Sequence, residues 1–141
     1  MTAGYSDTPL AAKLGLKRGM RCWFHNMPES VRAQIDPEGA GIEEQPTASD
    51  GLQCVHLFVT ERARLKRELA ALQPLMAPNG FLWVSWPKKA AKLDTDITED
   101  VIREVALPRG LVDIKVCAVD MTWSALKLMI RKENRTVPQN S

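Results

Sequence analysis

Two uninterrupted apolar runs, LQCVHLFVT at 52–60 and FLWVSW at 81–86, flank a segment whose leucines recur at helical spacing. A run without polar alternation reads as a strand buried on both faces, which is the pattern of a parallel sheet. Between the runs, Leu65, Leu69, Leu72 and Met76 fall at i, i+4, i+7 and i+11. They form one helical stripe, with Arg62, Arg64, Lys66, Arg67 and Glu68 mostly off it. Strand, helix, strand in this order requires a crossover, and crossovers of this kind are right-handed. The strand near residue 55 is therefore expected beside the strand near residue 82.

Punctuation extends the pattern in both directions. In TPLAAKLG, Thr8 is suited to cap a short helix, Pro9 to its first position and Gly15 to its left-handed end. A strand is expected from Met20 to about His25, then a helix over ESVRAQI opened by Pro28. Residues 36–51 hold most of the turn formers, with room for one short strand near Ile42. Thr60 is placed to cap the central helix, and APNG at 77–80 reads as a turn. TEDVIREVAL is a second amphipathic helix, capped by Thr98 or by an Asp96/Glu99 capping box. LVDIKVCAV and ALKLMIRK then make two strands joined by DMTWS, a link short enough to imply an antiparallel pair at the far edge of the sheet. The expected fold is α/β: a mostly parallel Rossmann-like sheet with helices on both faces and an antiparallel final strand. Residues 1–133 would form one domain, and 134–141 a flexible tail.

With 141 residues, 45% of them hydrophobic, the chain can build a core of ordinary size. Nineteen basic and seventeen acidic side chains leave a formal charge of +2, too little to point to nucleic acid or an anionic membrane. The start, MTAGYSDTPL, has no signal-peptide pattern, and no apolar run approaches the ~18 residues of a membrane span, so a cytoplasmic location is expected. Cys22, Cys54 and Cys117 are odd in number and set in apolar stretches, which fits buried free thiols better than a disulfide framework or a zinc cluster.

LQPLMAPNGFLWVSW and LVDIKVCAVDMTWSALKLMIRK together resemble the second half of the class I methyltransferase-like Rossmann fold. GYSDTPLAAKLGLKRGM, LFVTERARL, LWVSWPKKA with DITEDVIREVAL, and the terminal strands are similar to a family of small bacterial proteins known only as a domain of unknown function. The first resemblance implies a cofactor, S-adenosylmethionine. Such enzymes need a glycine-rich loop after the first strand, where backbone approaches the cofactor, and an acidic residue ending the second strand to hold its ribose. Here the first strand runs into HNMPES, which has no glycine; Glu43 or Glu44 stands where the acid is needed. The chain is also short of the helix and strand that complete the usual first half. No cofactor is therefore expected, with S-adenosylmethionine kept as the alternative.

In open α/β sheets ligands lie beyond the carboxyl ends of the strands. The residues expected there are Asn26, Thr60, Ser85, Trp86, Lys88 and Lys89. The two lysines can hold an anion as point charges, Ser85 and Asn26 can hydrogen-bond, and Trp86 can stack on a planar group. The bland reading is a strand broken by Pro87 with solvated lysines. Trp123, beside the link between the last strands, either lines a pocket or covers the core. Tyr5, Ser6 and Thr8 read as an N-terminal arm or a lid. His56 fits a satisfied core histidine, and His25, nearer a strand end, is the better acid–base candidate. No nucleophilic triad can be assembled. Asp94, Asp96, Glu99 and Asp100 favour a helix start over a cation site, and the basic residues of ERARLKRE read as a solvated face. These features point to a non-catalytic module that recognises a small anionic molecule or a protein partner. The alternative is a divergent S-adenosylmethionine-dependent methyltransferase or other small enzyme.

Overall fold

The computed structural model describes residues 8–135. Six strands form one sheet in the order β2-β1-β3-β4-β6-β5, built from β1 (Arg21–His25), β2 (Glu43–Glu44), β3 (Leu52–Phe58), β4 (Met76–Pro87), β5 (Leu111–Ala118) and β6 (Trp123–Ile130). β2, β1, β3 and β4 are mutually parallel, and β6 is antiparallel to both β4 and β5. The adjacency of β3 and β4, the antiparallel closing pair and its place at the edge all follow the expectation from sequence. The short strand lies one residue beyond Ile42.

The central helix α4 (Arg62–Leu72) and α5 (Glu99–Ala106) cover one face of the sheet, burying Leu65, Leu69 and Leu72 with Ile102, Val105 and Ala106 against β3, β4 and β6. Each fully buried leucine contributes about 1.5–3 kcal/mol through the surface it removes from water. The opposite face is covered by α1 (Leu10–Lys13) and α2 (Glu29–Ile35), through Leu10, Leu14, Val31 and Ile35. Gly15, at φ 75°, turns the chain out of α1 in the left-handed conformation expected of it. A one-turn helix α3 (Pro37–Ala40) occupies the turn-rich stretch.

Several local expectations are corrected. The helical stripe stops at Leu72: Pro74 cannot donate an amide, residues 73–75 tighten into a 3-10 turn, and Met76 begins β4 instead of ending the helix. APNG is therefore part of a long irregular strand and not a turn. The register with β3 jumps from Leu52↔Met76 to Cys54↔Phe81, and Gly80 passes so close that a side chain there would meet the Leu52 carbonyl oxygen at 2.8 Å. Pro9 stands at the N-cap of α1, not inside it. Thr60 does not cap α4; the Arg62 amide donates instead to Asp96 Oδ1, at 2.7 Å. Asp96 is thus the cap of the preceding helix, and Thr98 caps α5 by accepting from the Val101 amide. β6 starts at Trp123, so the link from β5 is shorter than DMTWS.

Arg103 ties α5 to the edge strand, donating to Asp113, Glu99 and Asp100. The guanidinium holds the Asp113 carboxyl below its ordinary value. Cys22 and Cys54 are buried free thiols, and Cys117 on the edge strand is half-buried. Burial pushes the Cys54 and Cys117 thiols up. Among the described residues no helix is long and apolar enough to cross a membrane. Tyr5 and Ser6 lie outside the described residues. Lys132–Asn134 makes a 3-10 turn that reaches the first residue of the expected tail, and residues beyond 135 are not described.

Candidate functional site

The parallel register pairs His25 with Leu57 and Phe58 with Ser85, so β1, β3 and β4 deliver Asn26, Thr60 and Pro87 to the same rim. Side chains at this rim nevertheless divide between the two faces of the sheet, because neighbouring strand residues point to opposite sides. Ser85 and Trp86 are such neighbours. Trp86 is buried among the aliphatic side chains under α4 and α5. Ser85 is fully buried on the other face, its hydroxyl 2.7 Å from His56 Nε2.

Between the ends of β1 and β3, the start of α4 and Trp123 of β6, a cavity of about 280 Å³ is lined by Asn26, Phe58, Thr60, Glu61, Arg64 and Trp123. Asn26 adopts φ 55°, a left-handed conformation that asparagine tolerates, and its amide nitrogen lies 3.2 Å from His25 Nε2. The indole of Trp123 stands edge-on to Phe58, with ring centroids 5.1 Å apart, and Phe58 stacks on His56 at 4.4 Å. Trp123 therefore both lines the cavity and closes the core behind it. His56 is the satisfied core histidine expected from sequence: it is buried, bonded to Ser85, and desolvation depresses its pKa to about 3.

On the α4/α5 face a second cavity, of about 440 Å³, is lined by Trp86, Pro87, Lys88, Lys89, Leu93, Thr95, Ile97, Thr98 and Glu99. The Lys88 amide is fixed on the Thr122 carbonyl oxygen at 2.8 Å, which holds the segment after β4 against the start of β6. Thr95 Oγ1 donates to the Thr60 carbonyl oxygen and accepts from the Ile97 amide. Glu99 is engaged by Arg103. Among the described residues neither Lys88 nor Lys89 makes an ion pair. The residues singled out in the sequence thus share a rim but not a cavity: Asn26, Thr60 and Trp123 line one, Trp86, Lys88 and Lys89 the other, and Ser85 neither.

Other cavities have no counterpart in the sequence reading, two of them beside Arg109. One, of about 450 Å³ between α4 and α5, brings Arg62, Lys66 and Arg109 together with Glu104. Arg62 and Lys66 share a helix face, which was legible; that the turn after α5 adds Arg109 was not. The other, of about 600 Å³ near Gln73, Arg109 and Asn134, lies at the start of β4, away from the carboxyl rim. Among the described residues no group of three or more His, Cys, Asp or Glu side chains is placed to hold a metal ion. Of the acidic cluster, Asp96 bonds the first turn of α4, and Glu99 and Asp100 pair with Arg103.

No protein-family model matches the chain, and no curated protein matches its sequence. Solved structures do match. A methyltransferase dependent on S-adenosylmethionine from Aquifex aeolicus superposes with TM-score 0.58 at 14% identity, over 86% of this chain and 87% of that one. The fold is that of the class I methyltransferases. Magnesium protoporphyrin IX methyltransferase from Synechocystis PCC 6803, solved with S-adenosylmethionine bound, matches with TM-score 0.54 at 11% identity, over 86% of this chain and 74% of that one. A tRNA methyltransferase from B. subtilis matches with TM-score 0.52 at 10% identity, over 92% and 69% of the two chains.

The residues at the methyltransferase-type cofactor position do not fit S-adenosylmethionine. The loop after β1 is Asn26, Met27 and Pro28 before α2 begins at Glu29, so side chains stand where cofactor-binding loops offer bare backbone. Glu44, which closes β2, has both carboxylate oxygens taken by Arg32, each at 2.7 Å. Arg32 in turn lies over the Phe24 ring, 5.8 Å from its centroid.

Proposed function

We propose that this chain is a non-catalytic binding module that uses a methyltransferase-type fold to recognise a small anionic molecule at the carboxyl rim of its sheet. The observation that carries the reading is the pair Lys88 and Lys89, two ammonium groups without an ion pair among the described residues, on the wall of a cavity of about 440 Å³. Two cations beside a concave surface, neither ion-paired among the described residues, favour an anion that can meet both charges. Asn26, Thr60 and Trp123 form a second recognition surface on the other side of the same rim, available to the same ligand's extension or to a protein partner. Against a histidine-based catalytic assembly stand the burial of His56, bonded to Ser85, and the Asn26 side chain beside His25.

The test is a thermal-shift screen of the full chain against simple phosphates and carboxylates. A ligand at about 100 times its dissociation constant adds about 2.7 kcal/mol to stability. Replacing both lysines by alanine is expected to abolish that stabilisation while leaving the unliganded midpoint nearly unchanged; a ligand response that survives K88A/K89A removes the assignment.

A second reading, a divergent methyltransferase, is favoured by the fold: each solved structure described above is a methyltransferase, and one holds S-adenosylmethionine. The neighbours speak for this reading more than for the first; the glycine-free loop and the Arg32–Glu44 pair speak against it. Calorimetry decides between them. Measurable binding of S-adenosylmethionine or its demethylated product would favour the enzyme, and no heat with either favours the binding module.

A further inference from the structure

We infer that the occupant of the Lys88–Lys89 cavity is a compact organic anion, one acidic head on an apolar body, rather than a bare inorganic anion or a nucleotide. This rests on the anion-binding reading above and adds the chemistry of the ligand. Volume is the first argument. At about 440 Å³ the cavity lies within the range of small-molecule sites, and a phosphate ion alone would leave most of it to water.

The walls supply the second. Trp86 and Ile97 present buried apolar surface, and Leu93, on the loop between β4 and α5, leaves 49% of its surface in water beside them. A large apolar side chain held half-exposed on the wall of a cavity that also presents Trp86 and Ile97 gains burial when a nonpolar body lies against it. The third argument is the count of free polar groups. Thr95 Oγ1 is already bonded on both sides, Glu99 is answered by Arg103, and Thr98 Oγ1 accepts from the Val101 amide. What remains as donors is two ammonium groups, the Thr98 hydroxyl proton and the Trp86 indole N–H, a set that suits one acidic head. A nucleotide would bring several phosphate charges and a base edge with nothing to pair against.

Isothermal titration of the full chain with four probes tests this: inorganic phosphate for the head alone, benzyl alcohol for the body alone, and benzoate and phenyl phosphate for the two together. The expected result is that benzoate or phenyl phosphate binds roughly tenfold tighter than inorganic phosphate, about the worth of two methylene groups taken from water. Benzyl alcohol gives no heat. The better of the two aromatic anions identifies the head as carboxylate or phosphate. K88A/K89A abolishes binding of every anion, and Leu93→Ser removes the tenfold margin while leaving phosphate binding unchanged. Leu93 and Lys89 are exposed, so unchanged thermal midpoints show that the variants fold. Failure of both benzoate and phenyl phosphate to bind more tightly than inorganic phosphate, or a margin indifferent to Leu93→Ser, overturns the inference and leaves the anion site standing. Silence toward all three anions removes both.

Discussion

On the face covered by α4 and α5, the sheet presents an almost wholly aliphatic layer, with Leu52, Val55, Leu57, Leu82, Val84, Leu126 and Leu128 packed under Leu65, Leu69 and Ile102. The face covered by α1 and α2 is chemically mixed: Cys22, Cys54, Phe58, Phe81 and Trp83 lie beside His56 and Ser85, the buried polar side chains among the described residues. Trp83 spends its indole N–H on the Leu14 carbonyl oxygen, at 2.9 Å. Lys127 lies over the Phe81 ring at 4.4 Å, and burial lowers its pKa. The first face gains its stability from area and close packing. The second, under two short helices, holds its parts in place by individual directed bonds, so it gains specificity of position and becomes sensitive to pH and to single atoms.

The largest expected difference between the faces comes from matched deletions. Leu69→Ala, at a site with no exposed surface between a long helix and the sheet, should cost about 2–5 kcal/mol, because the surroundings cannot close over the cavity. Leu10→Ala, in the four-residue α1, should cost clearly less, since so short a helix can settle into the space. Chemical denaturation of both variants measures the contrast, and equal losses would break it.

The next effect is set by pH. Burial holds His56 neutral in the folded chain down to about pH 3, whereas in the unfolded chain an imidazole takes up its proton near pH 6.5. The unfolded state therefore binds the extra proton between these values. The contribution of His56 is fully present above about pH 6.5 and is lost as the pH falls toward 3, at up to about 1.4 kcal/mol per pH unit. Carboxylates add their own slope at the acid end, so the reading is the difference between the wild type and His56→Gln. The variant should lose less stability between pH 6.5 and 5 than the wild type; parallel curves would show that His56 is not held neutral by its surroundings.

How much of this was legible in the sequence also divides by region. β3, α4, β4 and α5 could be read because their signals are local: an apolar run, a leucine stripe, a threonine cap. The correct order of β3, β4 and the closing pair follows from the handedness of crossovers and the length of a link. What could not be read depends on partners distant in the chain. Asp96 caps α4, thirty-four residues away, and no local pattern distinguishes that from capping the helix it precedes. Cys22 and Cys54 are register partners across β1 and β3, which only the pairing reveals. The division of the rim residues between two cavities was partly within reach: period-two alternation already sets Ser85 and Trp86 on opposite faces. The cavity walls contributed by Leu93 and Thr98, in contrast, required the path of the loop after β4.

The smallest expected effect tests whether the edge of the mixed face has closed a cofactor position or merely stabilised a strand. Arg32 and Glu44 are partly exposed, with 36% and 30% of their side-chain surface in water, so breaking the pair by Arg32→Ala should change stability by less than about 1 kcal/mol. Glu44 also makes Arg32 hold its proton more firmly than usual, but the solvent at this edge screens most of that preference from the folding equilibrium. If the pair alone occludes the nucleoside position, Arg32→Ala should gain affinity for the demethylated cofactor product in calorimetry. The expected outcome is no gain, because Met27 and Pro28 still stand where backbone would have to approach, and freeing one carboxylate does not create a glycine. A gain would move the reading toward a latent methyltransferase whose cofactor acid is held shut by a single arginine.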